Sequence, residues 1–345
     1  MHLRFRSYSL RFKHPFGVSS NTRSETPVIF VRLSENETHG YGEACLPAYL
    51  GEKEEDSIRF LEAASALLST LPGHSEIKTI LKQLDVLQPG CNAAKASLDI
   101  ALHDLYAKRE GKSFAEWKGI PKAKPTLTSF TIGIDHEEKV KQKISDAADF
   151  SILKIKAGTA DDLKLLQSIR SVTSKPLYVD VNQGWKNKEE ALELCNIMAS
   201  QDVLLLEQPM PVSHKKDMTW LTAHSPIPTI ADESVKRLKD LESMDAAFHG
   251  INIKLMKSTG LEEAYQMIQY CKQHRIKIML GCMAESSCAT TAMAQFMGFA
   301  DFVDLDAPEL YTNDPFLGVT YKNGRIYLPD GPGLGCVPKP GFHFD

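Results

Sequence analysis

Leu177–Glu207 reads LYVDVNQGWKNKEEALELCNIMASQDVLLLE and contains one complete structural unit. The apolar run Leu177-Tyr178-Val179 has the length of a buried strand and closes on an acid, Asp180. Asn187 with Glu190 three residues on marks a helix start, because both side chains can accept the free backbone N–H groups there. Val203–Leu206 is again short and apolar, and Glu207 follows it. Strand, helix and strand at this spacing make a parallel βαβ unit.

The same pattern extends in both directions. Thr126–Ile132, Ile152–Ala157, Ile227–Ala231, Gly250–Leu255, Ile276–Gly281 and Phe302–Leu305 are further strand candidates, with another helix start at Thr259 and Glu262. With the two above they number eight. No G-x-G-x-x-G turn follows the first strand, so an α/β fold with a closed (β/α)8-type barrel is expected in preference to a doubly wound sheet. Gly331–Gly335 is glycine-rich, but Val337-Pro338 follows rather than a helix, so it reads as a loop and not a phosphate cradle.

Upstream the style differs. Leu3, Phe5, Tyr8, Leu10 and Phe12 lie among polar residues, and Pro27–Leu33 and Gly40–Cys45 also read as strands. Residues 52–109 then read as helices, with Glu52–Leu71 and Asn92–Arg109 the clearest. Strands followed by helices predict an N-terminal α+β unit.

Composition narrows the function. In 345 residues, 40 Lys and Arg face 44 Asp and Glu, for a net charge of −4. That balance argues against nucleic acid or a membrane as partner and leaves a small-molecule substrate. A homo-oligomer stays open. Seven cysteines without a C-x-x-C pair fit buried thiols of a reducing compartment. With no run of about 18 apolar residues and no signal-peptide core, a cytoplasmic location is expected.

The strand ends carry the chemistry. Lys154 and Lys156 close the second barrel strand, Asp180 the third, Glu207 the fourth, Asp232 the fifth and Lys254 the sixth; Asp304 and Asp306 mark the eighth. From Lys156 to Lys254 the successive charges lie 24, 27, 25 and 22 residues apart, about one βα unit each time. Barrel active sites form at this end. Asp180, Glu207 and Asp232 come from adjacent strands, and three bunched carboxylates repel unless a cation holds them. All-oxygen donors point to Mg²⁺ or Mn²⁺, the alternative being an ion-pair network with lysines. Lys156 and Lys254 stand four strands apart and face each other across the mouth. Beside a divalent cation such lysines are usable general bases, and two on opposite faces of one carbon suit racemisation or epimerisation α to a carboxylate. Asp304 and Asp306 share a face by alternation and together ask for a cation such as a free ammonium, or else cap a helix.

This constellation resembles the enolase superfamily, in the subgroup of muconate lactonising enzymes. The resemblance rests on Lys154–Lys156 (K-x-K), Asp180–Trp185 (D-x-N-Q-G-W), Glu207–Pro209 (E-Q-P), Ala231–Ser234 (A-D-E-S) and Ile253-Lys254. Gly40–Ala44 (GYGEA) and Ala94–Gly111 are similar to the family's N-terminal capping domain. Asp304–Asp306 and Thr128–Gly133 look like those of dipeptide epimerases.

The resemblance implies a modified (β/α)7β barrel over 120–320, and a cap over 1–115 completed by the tail 321–345. It implies Asp180, Glu207 and Asp232 on Mg²⁺, Lys156 and Lys254 as the two acid/bases, and Lys154 neutralising an enediolate. It also implies Asp304 and Asp306 on the substrate's ammonium, with Thr131 and Cys282 lining the pocket. Where members acting on Ala-Glu carry a cap-loop arginine this chain has Asn21, with Arg23 two residues on. That departure implies dipeptides with small or apolar side chains, which Met283 and Ala284 would suit. N-Acylamino acid racemisation, o-succinylbenzoate synthesis and cycloisomerisation are rival reactions of the subgroup, but their substrates lack the ammonium. A Schiff-base aldolase using Lys156 or Lys254 is a rival of another class.

Overall fold

Pro27–Leu33 lies at the centre of a three-stranded antiparallel sheet, which is why Val28, Ile29, Phe30, Val31 and Leu33 are all buried. The strands are β1 (His2–Val18), β2 (Asn21–Glu35) and β3 (Thr38–Cys45), in the order β1-β2-β3. The computed structural model describes residues 1–18, 21–46, 50–73, 75–133, 135, 137–244 and 246–344. The side chain of Asn21 lies outside the described residues.

Four helices complete this N-terminal unit: α1 (Glu54–Thr70), α2 (Ile77–Leu87), α3 (Asn92–Arg109) and α4 (Phe114–Lys118). Helix α3 lies against β3, and its residues from Ala93 to Leu105 are all buried. The approach is closer than side chains allow. A Cβ on Gly42 would stand 1.9 Å from the Ser97 carbonyl oxygen, and one on Gly40 2.1 Å from that of Ala101. The glycines of Gly40–Ala44 therefore let the helix settle on the sheet.

The remaining strands alternate with helices. The short β4 (Thr126–Leu127) precedes β5 (Ser129–Ile132), β6 (Ile152–Lys156), β7 (Leu177–Asp180) and β8 (Val203–Glu207). Then come β9 (Thr229–Ala231), β10 (Gly250–Ile253), β11 (Lys277–Gly281) and β12 (Phe302–Asp304). Strands β5 to β12 form one parallel eight-stranded sheet in sequence order. Thr128 Oγ1 accepts from Leu305 N at 2.8 Å, and Ser129 Oγ donates to Asp304 Oδ1 at 2.7 Å. These bonds draw β5 to β12 and close the barrel. The connecting helices are α5 (Glu137–Asp146), α6 (Asp162–Arg170), α7 (Lys188–Ala199), α8 (Lys215–His224), α9 (Leu238–Glu242), α10 (Leu261–His274) and α11 (Ser287–Ala294). Tyr178, Leu205, Ile230 and Met279 form a cluster of their own, the apolar filling of the barrel below its charged mouth.

Two expectations are corrected. Thr126–Ile132 is not one strand: β4 pairs with Arg325–Tyr327 of the tail, and the chain changes sheets at Thr128. Thr259 does not cap α10. Its hydroxyl bonds Glu263 at 3.3 Å, and the α10 N-terminus is capped from the other unit: Asp99 of α3 accepts from Leu261 N at 2.9 Å and Glu262 N at 3.1 Å. Asn187 behaves as read, accepting from Glu189 N and Glu190 N at 2.9 and 3.1 Å.

A second acid repeats the Asp99 arrangement. Glu43 of β3 accepts from Ser286 N, Ser286 Oγ and Ala289 N at 2.8, 2.6 and 3.1 Å, capping α11. The cap is thus fixed to the barrel by two acids, each on the positive end of a barrel helix. No helix among the described residues is long and apolar enough to cross a membrane.

Candidate active site

Alternation along a barrel strand sends every second side chain inward. In register, Lys156 stands beside Asp180 and Asp180 beside Glu207, so these three share one level at the C-terminal mouth. Asp232 and Lys254 follow the last residues of β9 and β10. The site is therefore assembled from strand ends, as the spacing predicted.

Lysines knit the carboxylates together. Lys154 Nζ lies 2.6 Å from Glu207 Oε2, 2.7 Å from Asp304 Oδ2 and 3.4 Å from Asp180 Oδ2. Lys156 Nζ contacts Asp180 Oδ2 at 2.6 Å, and Lys254 Nζ contacts Asp232 Oδ2 at 2.9 Å and Glu207 Oε1 at 3.7 Å. The two candidate bases thus reach one carboxylate cluster from its two ends.

Charge decides how these acids titrate. Burial pushes Asp180 up, but Lys156 and Lys154 outweigh it and hold the carboxyl below its ordinary value. Burial likewise opposes ionisation of Asp232, and Lys254 and Lys257 overcome it. Glu207 is raised, by burial first and by Asp180 next. Lys154 is disfavoured by burial, yet Asp304, Glu207 and Asp180 raise it well above an ordinary lysine, fixing it as an ammonium. Glu233 is pushed up to about 7 by burial, Asp232 and Asp180.

Among the described residues no three His, Cys, Asp or Glu side chains already have the spacing of a metal shell, because ammonium groups hold the acids. The donor set nevertheless suits a hard divalent cation. Asp180, Glu207 and Asp232 are buried, offer only oxygen and repel one another. Buried Asn182 Oδ1, two residues after Asp180, and Glu233 Oε2, next to Asp232, have no hydrogen-bond partner. An unsatisfied acceptor in the interior is costly, and a cation or its water removes the cost.

Thr131, the penultimate residue of β5, stands beside the eighth strand: its N donates to Asp306 Oδ2 at 2.6 Å and its Oγ1 to Asp306 Oδ1 at 3.3 Å. Cys282 Sγ donates to the Asp304 carbonyl at 3.3 Å and sits at the same mouth. Asp304 and Asp306 do not present equivalent carboxylates, as alternation had suggested. Asp306 lies past the strand end, and only Asp304 contacts Lys154. Arg23 carries its guanidinium 5.7 Å over the Phe12 ring, which itself packs against the Tyr311 ring with centroids 4.7 Å apart.

Several residues escaped the sequence reading. Lys257 is fully buried and donates to Asp232 Oδ1 at 2.6 Å and to the Asp232 and Asn252 carbonyls at 2.8 Å. Asn252 Nδ2 donates to Glu207 Oε1 at 2.7 Å. A polar residue two before Lys254 in an apolar strand was the available signal for Asn252, since i and i+2 share a face. Gln208 sits at φ 38° and accepts from Asp232 N and Ser234 N at 3.0 and 3.1 Å, fixing the loop that presents Asp232.

With this geometry in view, comparison with known proteins gives two matches along the chain. Residues 3–119 match the family described as mandelate racemase / muconate lactonizing enzyme, N-terminal domain, and residues 136–341 match the enolase C-terminal domain-like family. The chain belongs to the enolase superfamily. Its similarity to the L-Ala-D/L-Glu epimerase of Bacteroides thetaiotaomicron is 42% identity over 338 residues, 98% of this chain and 88% of that protein. A substrate-liganded complex of the L-Ala-D/L-Glu epimerase from Bacillus subtilis superposes with TM-score 0.92 at 26% identity, covering 98% of both chains. A dipeptide epimerase from Cytophaga hutchinsonii, complexed with Mg and D-Ala-L-Val, superposes with TM-score 0.91 at 25% identity over 99% of this chain and 96% of that one. The barrel with its N-terminal cap is therefore the superfamily's architecture.

Proposed function

We propose that this chain is a dipeptide epimerase, inverting the α-carbon of the C-terminal residue of a dipeptide. One observation carries the reading: Lys156 and Lys254 are held at opposite ends of a single buried carboxylate cluster. A carbon placed between them can lose its proton to one lysine and regain a proton from the other.

Asp180, Glu207 and Asp232 would hold Mg²⁺, with Mn²⁺ an alternative. When bound, the ion supplies positive charge that makes the α-proton acidic and stabilises the enediolate. The chain's own residues do the rest. The lysine facing the α-hydrogen, neutral at the start, takes that proton and becomes an ammonium. The opposite lysine, an ammonium at the start, delivers its proton to the other face and becomes neutral. Configuration inverts, and the two lysines exchange protonation states. Lys154, locked as an ammonium, adds fixed charge where the enediolate forms. Asp304 and Asp306 offer the substrate's ammonium buried carboxylates, and Thr131 and Cys282 line the pocket. The Mg-bound dipeptide complex of the Cytophaga hutchinsonii relative supports this assignment.

Small or apolar C-terminal side chains are the preference that Met283 and Ala284 suit. A second preference, for an acidic side chain, is favoured by Arg23, a cation of the cap whose guanidinium lies over the Phe12 ring. The name of the Bacteroides thetaiotaomicron relative supports that alternative. Incubation of L-Ala-L-Leu and L-Ala-L-Glu with enzyme and Mg²⁺, followed by chiral chromatography, tests both. The L-Ala-D product is expected from at least one of them. No inversion of either peptide, nor of other L-Ala dipeptides, would remove the reading.

A further inference from the structure

Gly184 and Trp185 end the run Asp180–Trp185, yet neither carries a group of the reaction. They lie where two loops cross. The loop after β6, which follows Lys156, meets the loop after β7, which follows Asp180. A Cβ on Gly184 would stand 2.2 Å from Gly158 Cα, and one on Gly158 2.1 Å from the Val181 carbonyl oxygen. Gly158 also sits at φ 96°. Glycine is what both positions require.

Asp162, at the start of α6, ties the crossing. The residue is 3% exposed, and every donor on its carboxylate is neutral. Gly158 N is shared between its two oxygens at 3.0 Å, and Thr159 N and Oγ1 reach Oδ1 at 2.9 and 3.2 Å. Trp185 Nε1, buried on the other loop, reaches Oδ2 at 2.8 Å. A carboxylate without a cation is stable in the interior when donors converge on it in this way.

The two loops differ in what else holds them. The loop after β7 is bonded to the next one: Gln183 N donates to the Gln208 carbonyl at 2.8 Å and Trp185 N to the Pro209 carbonyl at 3.1 Å. The stretch from Ala157 to Asp162 reaches its neighbour through Ala157 N, on the Asp180 carbonyl at 2.8 Å, and through the Asp162 carboxylate. Lys156 stands directly before this stretch.

We propose that Asp162 and Trp185 are positioning residues for Lys156. The indole N–H holds Asp162, and Asp162 holds the Gly158–Thr159 turn that sets where the lysine enters the mouth. This rests on the dipeptide epimerase reading and adds the device that places one of its two bases. Its effect is one-sided. Breaking the link slows proton transfer at the face served by Lys156. Lys254, held by Asp232 across the mouth, keeps its place. Asp180 keeps its place too, because its loop has separate bonds to the loop after β8, so cation binding is unchanged.

The test uses Trp185→Phe, which keeps a ring and removes the N–H, and Asp162→Asn, which turns an amide NH₂ against the converging donors. Initial rates of α-proton exchange in D₂O are measured for L-Ala-L-Leu and L-Ala-D-Leu separately, and Lys156→Ala and Lys254→Ala show which isomer each lysine serves. Mg²⁺ affinity is measured by calorimetry without substrate. W185F is expected to slow exchange of the isomer facing Lys156 about tenfold, and D162N by up to about 10²-fold, as small misplacements of a reacting group do. Exchange of the isomer facing Lys254 and Mg²⁺ affinity should stay within about twofold of the wild type in W185F. If one variant does not fold, the other carries the same readouts. Equal slowing of both isomers, or unchanged exchange of both, would overturn the assignment.

If the wild type exchanges no dipeptide proton, the reaction reading fails by itself. Crystal structures of wild type and W185F then decide the positioning alone. It stands if the Gly158–Thr159 turn and Lys156 Nζ move while Asp180 and Lys254 do not, and it falls if Lys156 stays where it is.

Discussion

Replacing His103 with asparagine removes a buried positive charge from the seam between cap and barrel, and the effect should depend on pH in a defined way. His103 Nδ1 lies 2.8 Å from Asp99 Oδ1, and its Nε2 lies 3.7 Å from Glu262 Oε2. Lys118 and Lys78 also reach Glu262, at 2.5 and 3.4 Å, and the rings of Phe114 and Trp117 pack against the imidazole. Burial disfavours the charged ring, but Asp99 and Glu262 prevail and raise it from 6.5 to about 9. At about 1.4 kcal/mol per tenfold change in proton affinity, that rise is worth about 3 kcal/mol. The folded-state value is raised, so the contribution is complete below about pH 6.5 and is lost as pH climbs through about 9. Glu262 is correspondingly held low, by His103 foremost; this is the same interaction seen from its partner and is not added. Urea unfolding from pH 6 to 10 measures it. The wild type should lose about 2 kcal/mol between pH 7 and 9 from this group, or about 3 °C in Tm for a chain of this length. H103N should be less stable at pH 6 and converge on the wild type near pH 10. Parallel curves for the two proteins would refute the reasoning.

Other expectations concern the reaction and the packing. Lys156→Ala and Lys254→Ala should each lower inversion in both directions by about 10²-fold or more, while each keeps α-proton exchange for the isomer that faces its remaining lysine; chirally resolved NMR in D₂O reads both. Chelation with EDTA should abolish activity and Mg²⁺ should restore it, whereas borohydride with substrate should leave activity intact. The opposite pair of results identifies a Schiff-base aldolase. Gly42→Ala places a Cβ 1.9 Å from the Ser97 carbonyl oxygen, so α3 must move off the sheet. A cost of about 3 kcal/mol, read from the urea midpoint, is expected.

The barrel and most of its mouth were legible because their information is local. A strand of three to five residues, an inward period of two and a repeat near 25 residues place Lys156, Asp180, Glu207, Asp232 and Lys254 without any knowledge of distant contacts. The residues that eluded the sequence act over long separations. Asp99 caps α10 from 162 residues away and Glu43 caps α11 from 243, and the Thr259–Glu262 spacing offered a local substitute that the fold did not use. Thr126–Ile132 reads as one strand because periodicity carries no information about a change of sheet at Thr128. Lys257 lay hidden because it follows its strand and turns back under Asp232, outside any alternating pattern. The two-residue spacing of Asp304 and Asp306 shows a shared face, and only the position of Lys154 distinguishes them.

Deuterium position in a dipeptide product tests the central assignment most directly. L-Ala-L-Leu and L-Ala-L-Glu, incubated with the enzyme and Mg²⁺ in D₂O, are analysed by NMR and mass spectrometry for label at each α-carbon and for configuration. The account predicts one deuterium at the C-terminal residue's α-carbon, accompanying inversion there, and none at the N-terminal residue. Label at the N-terminal α-carbon, or inversion without solvent label at either position, would contradict it.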